Sequence, residues 1–303
     1  MSHRFSPHED PARPGHERPG RDRPGHARPG HEGPGHDGAE RSAATRDYRY
    51  RELAVAGPTV ETALAAECAL AISYNGIGHA VMMVSPEALE DFAVGFSLSA
   101  GIIDGIDDVY DLRLIQAGDA WQAEVQIASR AFWRLKEERR QLAGSSGCGV
   151  CGVAALEQAL PQLAVLEPVP LPPAAHLYQL RERIAQAQCL ARHSGALHAA
   201  VFVDETGTIR LCREDIGRHN ALDKLIGALL GEGLDGSRGF AAVTSRCGLE
   251  LLHKAVRAGI GTLVSLSAPT SLTVDWARRH RLNLIHLPHH SPPRVYSPAP
   301  AEA

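Results

Sequence analysis

The chain has 303 residues, 44% of them hydrophobic, which is enough for one large domain or two modest ones with a substantial core. A net charge of -4 supplies no global basic field for nucleic acid, so an anionic ligand would have to be held by local groups. The longest apolar runs, around Leu229 and Leu263, are too short to span a bilayer, and the N-terminus lacks the apolar core of a secretory signal.

Residues 1–45 form a tail with a five-residue repeat. Pro14, Pro19, Pro24, Pro29 and Pro34 each precede a glycine, and His16, His26, His31 and His36 follow four of those pairs. Pro and Gly at this density hold neither a helix nor a sheet ladder, so the tail is expected to be disordered. Weak capture of divalent metal is the functional alternative to a plain solvated extension.

Residues 46–160 are expected as an N-terminal subdomain. Val60–Tyr74 has strand character, Asn75-Gly76 is a two-residue hairpin turn, and His79–Val84 is the return strand. Ser85-Pro86-Glu87 predicts a capped helix start with Pro at the first position, and the helix carries Leu89, Phe92, Ala93 and Phe96 on one face to about Gly101. A strand is expected at Trp121–Ile127, then a charged stretch at Lys136–Arg140. Gly144–Gly152 is a Gly- and Ser-rich loop containing Gly147-Cys148-Gly149-Val150-Cys151-Gly152, followed by a helical segment at Val153–Leu160.

Residues 161–175 read as a Pro-rich, semi-rigid linker. A helical segment follows at His176–Arg192. Strands are then expected at Leu197–Val203 and Ile209–Cys212, joined by the turn Thr206-Gly207. The remainder alternates: helix Asn220–Leu230, strand Phe240–Thr244, helix Leu249–Ala258, strand Thr262–Leu266, helix Ser271–His280, strand Leu282–Leu287. That order predicts parallel strands with right-handed crossovers in an α/β domain over 176–297, closed by a short tail at 298–303.

Of six cysteines, Cys68, Cys189, Cys212 and Cys247 stand alone, a pattern that suits a reducing cytoplasm rather than a disulfide scaffold. The remaining pair is the CxxC. Flanking glycines let its backbone bend toward a second molecule, and a helix beginning at Val153 would favour the thiolate. Sulfur transfer, dithiol exchange and half of a zinc site all remain open on the motif alone. Zinc lacks its other ligands here, since no second CxxC or spaced His pair accompanies this one. A deaminase site is excluded: the CxxC precedes His198, which is followed by Ala199-Ala200 without the required acid/base glutamate.

Arg213-Glu214-Asp215-Ile216-Gly217-Arg218-His219-Asn220 ends a strand and opens a helix. Its helix N-terminus, with Arg218 and His219, forms a candidate anion site, and Asp215 or Asp223 is a candidate acceptor from a base edge. Ser267-Ala268-Pro269-Thr270-Ser271 repeats that logic, although helix capping alone would explain Thr270 or Ser271. His198 reads as a core histidine or a ligand contact, Ser245-Arg246 as a strand end reaching the same cleft, and Cys247 as packing.

Several motifs in one order resemble the formate dehydrogenase accessory proteins, the sulfur carrier protein FdhD family. They are Tyr74-Asn75-Gly76-Ile77-Gly78-His79, Leu89–Phe96 running to Gly101-Ile102-Ile103, the CxxC segment, His198-Ala199-Ala200, Glu214–Leu225, Ser245-Arg246 and Ser267–Leu272, spanning roughly residues 50–297. The resemblance implies a cytoplasmic homodimer with a cytidine-deaminase-like mixed sheet, flanking helices and no resident metal. It implies a sulfurtransferase that takes sulfur from a cysteine desulfurase onto Cys148 as a persulfide, with Cys151 assisting. The sulfur would pass to the molybdenum cofactor, bis(molybdopterin guanine dinucleotide), bound as substrate, with formate dehydrogenase as client. By position, the resemblance places cofactor contacts at Leu287, Pro288, His289, His290, Ser291 and Pro292, joined by Arg218, His219, His198, Ser267 and Thr270. Here that segment departs from the family's Gly-Arg-containing basic stretch; His289 and His290 stand in for cationic donors, or the contact is through backbone. A cofactor-escorting chaperone and a dithiol oxidoreductase are the alternatives from other classes.

Overall fold

The computed structural model describes residues 45–53, 59–144, 160–195 and 197–299. The repeat tail, the CxxC loop and the expected helix after Val153 lie outside these residues.

The chain opens with an antiparallel ribbon of β1 (Thr45–Tyr50) and β2 (Val60–Ala65). A four-stranded sheet follows, from β3 (Cys68–Tyr74), β4 (Ile77–Val84), β5 (Val109–Ala117) and β6 (Ala120–Ile127), in the order β4-β3-β6-β5 with β3 and β6 parallel. Helix α1 (Leu89–Ser99) connects β4 towards β5, and α2 (Ser129–Gly144) leaves β6. After the Pro-rich stretch and a 3-10 turn at Ala174–Leu177 come α3 (Leu180–Ala187) and α4 (Ala191–Ser194). The rest is β7 (His198–Asp204), β8 (Ile209–Asp215), α5 (Arg218–Glu232), β9 (Gly239–Val243), α6 (Leu249–Arg257), β10 (Thr262–Ser265), α7 (Ser271–Arg279), β11 (Asn283–His286) and β12 (Arg294–Ser297). These strands form a six-stranded sheet ordered β12-β11-β10-β9-β7-β8, in which β9, β10 and β11 are parallel. The expected α/β architecture with mixed sheets and flanking helices is present.

Period-two alternation divides the six-stranded sheet between two cores. Ala200, Phe202, Ala241, Val243, Leu263 and Leu284 face a large cluster containing Leu222, Leu225 and Ile226 of α5 and Leu252 of α6. That cluster continues through Phe92 of α1 to Leu70, Ile72 and Tyr74 of β3, so both sheets share it. Val201, Val203, Phe240, Ala242, Val264 and Ile285 face the other way, onto Leu177, Leu180 and Ile184. Helices α1 and α5 touch backbone to backbone. A Cβ on Gly95 would stand 1.8 Å from the Asp223 carbonyl oxygen, and one on Gly227 would stand 1.9 Å from that of Asp91.

The Asn75-Gly76 hairpin forms as expected, both residues having positive φ (48° and 81°). Asn75 also exchanges two bonds with Ile127, at 3.0 and 2.7 Å, fastening the turn to β6. The helix start expected at Ser85-Pro86 moves to Leu89, preceded by a left-handed Ala88 with no side-chain cap. Ser85 is engaged elsewhere: its N–H donates to Asp215, its Oγ accepts from Ile216 N and its carbonyl accepts from Lys224. The helix expected over His176–Arg192 breaks at Gln179, which has φ 48°, and again before Ala191. There the Glu214 carboxylate draws in the N–H groups of Cys189, Leu190 and Ala191 and opens a new helix. Strands β1, β5 and β12 were not anticipated.

The Pro-rich stretch is fastened to the fold. Leu166 N donates to the His280 carbonyl at 3.1 Å, and Asn283 Nδ2 donates to the Val169 carbonyl at 3.0 Å. Beside it, His253 of α6 lies against the Trp276 ring at 4.8 Å, is 8% exposed and has no partner for Nε2. Burial, aided by Arg257 and His280, pushes its pKa down to about 4. An unfolded chain therefore takes up a proton below about pH 6.5 that the fold refuses. The contribution is fully present above that pH and is lost as pH falls toward 4, on the order of 3 kcal/mol in all at 1.36 kcal/mol per unit. Urea midpoints from pH 7 to pH 4.5 are expected to fall more steeply for the native chain than for His253→Leu; parallel profiles would contradict this.

Candidate functional site

Register brings the sequence-predicted residues to one edge of the six-stranded sheet. His198 pairs with Asp215, Ala200 with Val243, Val243 with Ser265, and Ser265 with His286. The carboxyl ends of β8, β9, β10 and β11 therefore line up beside the amino end of β7. Arg218 and His219, His198, Ser245-Arg246, Ser267–Thr270 and Leu287–Pro292 all follow or occupy these ends. Ligands of parallel α/β sheets gather at this edge because loops and helix N-termini converge there.

The β8–α5 junction is built mostly for the fold. Asp215, wholly buried, accepts on Oδ1 from Gly217 N (2.8 Å) and Asn220 Nδ2 (2.9 Å), and on Oδ2 from Ser85 N (3.0 Å) and Lys224 Nζ (2.7 Å). Lys224 is equally buried and directs its other two donors to the carbonyls of Ser85 (3.0 Å) and Glu214 (3.3 Å). Burial lowers the Lys224 pKa, and Asp215 opposes that shift. Asp223 is buried against Lys254 at 2.7 and 2.8 Å, and desolvation raises its pKa. Neither Asp215 nor Asp223 is therefore an acceptor for a ligand's base edge: every lone-pair site of Asp215 is occupied, and Asp223 is sealed at an ion pair.

The cationic members remain at the surface of the junction. Arg218, the first residue of α5, is exposed. His219 is partly buried with Nε2 2.7 Å from Glu250, and its pKa is lowered chiefly by burial. His198 is half-buried and held neutral by burial and by Arg218, so it enters the edge as an uncharged hydrogen-bonding group near neutral pH.

Thr270 is the N-cap of α7, accepting from Thr273 N at 3.3 Å, and the half-buried Ser267 accepts at its carbonyl from Ser265 Oγ at 2.7 Å. Leu287 is a core residue: its side chain joins the cluster under α3, its N–H donates to the Ser265 carbonyl at 2.9 Å and its carbonyl accepts from Arg181. Pro288 is half-buried, and His289, His290, Ser291 and Pro292 are exposed. Two residues at this edge had no sequence signal. Glu250 is the partner of His219, and Arg181 of α3 bridges the carbonyls of Leu266 and Leu287.

Cys148 and Cys151 lie outside the described residues; the pair follows α2, which ends at Gly144. Among the described cysteines, Cys68 and Cys247 are buried, and burial raises both thiol pKa values, that of Cys247 to about 12. Cys212 is likewise pushed up to about 12 by burial, which leaves Cys189 exposed. No described helix is long and apolar enough to cross a membrane.

Comparison with known proteins places this geometry. A sulfur carrier protein FdhD from Bordetella petrii is 40% identical over 250 residues, covering 82% of this chain and 90% of the relative. One from Cupriavidus necator is 45% identical over 224 residues, covering 73% and 77%. A crystal structure from Desulfotalea psychrophila, of a protein assigned as a formate dehydrogenase accessory protein, superposes with a TM-score of 0.63 over 83% of this chain and 95% of that one. At 20% identity this speaks for a shared fold. The FdhD/NarQ family model matches residues 65–301, which contain both the CxxC pair and the whole sheet edge. This chain is a member of the FdhD/NarQ family.

Proposed function

We propose that this protein is a cytoplasmic sulfur carrier, acting as a homodimer, that takes sulfur from a cysteine desulfurase and delivers it to a molybdenum cofactor destined for formate dehydrogenase. The observation that carries the reading is the CxxC pair within the matched span of a family whose relatives are named sulfur carriers. The other cysteines support it, because three of the four are held as protonated thiols by burial, and a protonated thiol is a poor nucleophile.

The chemistry balances with these residues. The Cys148 thiolate attacks the outer sulfur of a donor persulfide; a new S–S bond forms, the donor's S–S bond breaks, and the donor cysteine leaves as thiolate. Delivery as sulfide needs two electrons. Attack of the Cys151 thiolate on Cys148 Sγ supplies them, releasing hydrosulfide to the substrate and leaving a Cys148–Cys151 disulfide. A cellular dithiol then reduces that disulfide.

The substrate would be bis(molybdopterin guanine dinucleotide), a large polyanion. The sheet edge offers the kinds of group such a ligand needs: the amino ends of α5 and α7, Arg218, Arg246 and the 288–292 segment. Cys148→Ala is expected to leave formate dehydrogenase without activity in cells that otherwise make it. Full activity with that variant would overturn the reading in favour of a chaperone that only escorts the cofactor.

A further inference from the structure

Helix α2 leads from β6 toward the CxxC segment and has two unlike faces. Ala131 and Leu135 are buried in the large core, and Phe132 packs partly against it. Arg130, Trp133, Glu137 and Arg140, spaced three or four apart, form the opposite stripe and are exposed. Trp133 is 61% exposed. Tyr110, near the start of β5, is 71% exposed and lies close enough to Arg130 to act on it electrostatically. Arg130 therefore neighbours both aromatic side chains, and its own guanidinium is fixed by the buried Asp108 at 2.9 Å.

The stripe is also basic within an acidic protein. From Arg130 to Arg140 there are five basic residues and two acidic ones, in a chain of net charge -4. Asp104 takes up Arg134 at 3.0 Å, but Lys136 and Arg140 pair with no carboxylate among the described residues. The Lys136 ammonium lies instead over the Trp133 and Phe132 rings, 5.0 and 4.6 Å from their centroids. That contact orients the indole before any partner arrives, which lowers the ordering cost of binding. Exposed Trp and Tyr around Arg, in a basic rim, have the composition of an interface hot spot. The complement is an acidic surface with an apolar recess.

We propose that the outer face of α2, centred on Trp133 with Tyr110, Lys136 and Arg140, docks the acidic surface of the enzyme that donates sulfur to Cys148. The proposal rests on the sulfur transfer proposed above. Distance along the chain selects this occupant. Trp133 lies eleven residues before the end of α2 at Gly144, about 17 Å at ~1.5 Å per residue, and Cys148 is four residues further, at most about 14 Å. A standard interface covers about 800 Å² per partner, a disc roughly 30 Å across. A donor that sets its persulfide against Cys148 therefore reaches α2. The client needs no such approach, because it meets the cofactor, which the function proposed above places at the edge of the six-stranded sheet. A second copy related by a two-fold axis would set this basic stripe against itself.

The test follows sulfur arriving on the Cys148 peptide of the full chain by mass spectrometry, with two donors. One is a cysteine desulfurase supplied with cysteine, the other glutathione persulfide. Trp133→Ala is expected to raise the carrier concentration for half-maximal transfer from the desulfurase at least tenfold. Its loading by glutathione persulfide should change less than twofold. Lys136→Glu combined with Arg140→Glu should raise the same concentration at least fivefold and flatten its salt dependence. An unchanged half-maximal concentration in either variant would overturn the proposal, as would equal losses with both donors. A native chain loaded by glutathione persulfide but not by the desulfurase would remove the docking surface and spare the sulfur-carrier reading; one loaded by neither removes both. If Trp133→Ala loads normally but fails to activate formate dehydrogenase, the face belongs to the client. If it sediments as a monomer where the native chain is a dimer, the face belongs to a second copy. Either result overturns the assignment to the donor.

Discussion

Lys224→Ala is expected to destabilise the fold by about 3–5 kcal/mol, the range for breaking a buried ion pair from one side. The reason lies in what is left behind. Asp215 would be left at zero exposure with only the N–H donors of Ser85, Gly217 and Asn220, and the carbonyls of Ser85 and Glu214 would lose the Lys224 donor. That loss is about a fifth or more of the stability of a typical domain. It also releases the β8–α5 junction from the β4–α1 connection, because Lys224, Asp215 and Asn220 together bond to Ser85 and Met83. Weakened ligand binding at Arg218 should accompany the fall in urea midpoint. A variant with an unchanged midpoint would show that the network contributes nothing net.

Gly227→Val should be at least as damaging. A Cβ at this position meets the backbone oxygen of Asp91 at 1.9 Å, and backbone cannot rotate out of the way as a side chain can. Helices α1 and α5 would have to separate, opening the cluster that Phe92 and Leu225 close between the two sheets. Overpacking costs typically 1–3 kcal/mol where side chains can give, and more is expected where they cannot. Gly95→Ala, against the Asp223 carbonyl at 1.8 Å, should act in the same direction. The double variant should cost less than the sum of the two, since one separation relieves both clashes. Denaturant unfolding of the two singles and the double measures this, and additive losses would contradict a shared contact.

The sequence foretold local structure better than long-range structure. Each strand–helix unit from Phe240 to Leu287 carries its own periodicity and its own turn, so the parallel order was legible. Strand β12 is four residues and forms only because β11 offers an edge, which no window of sequence reveals. The Ser85-Pro86 cap failed for a related reason: a serine suited to capping α1 is drawn instead to Asp215, 130 residues away.

The Glu214–Leu225 segment stands out in the sequence for its density of polar groups, yet composition could not say which way they point. Glu214, Asp215 and Lys224 turn inward and hold the fold, Asn220 bonds to Asp215, and Arg218 faces solvent. Arg181 was illegible because its partners are 85 and 106 residues distant. Nothing around Arg181 in the chain distinguishes it from the other arginines of an amphipathic helix.

The proposed sulfur transfer requires that sulfur reside on one thiol of the CxxC pair. Mass spectrometry of the peptides containing Cys148 and Cys189, after incubation with a cysteine desulfurase and free cysteine, tests that directly. One added sulfur on the Cys148 peptide, lost in Cys148→Ser, is the predicted result. Sulfur found only on the exposed Cys189, or on no cysteine at all, would contradict it.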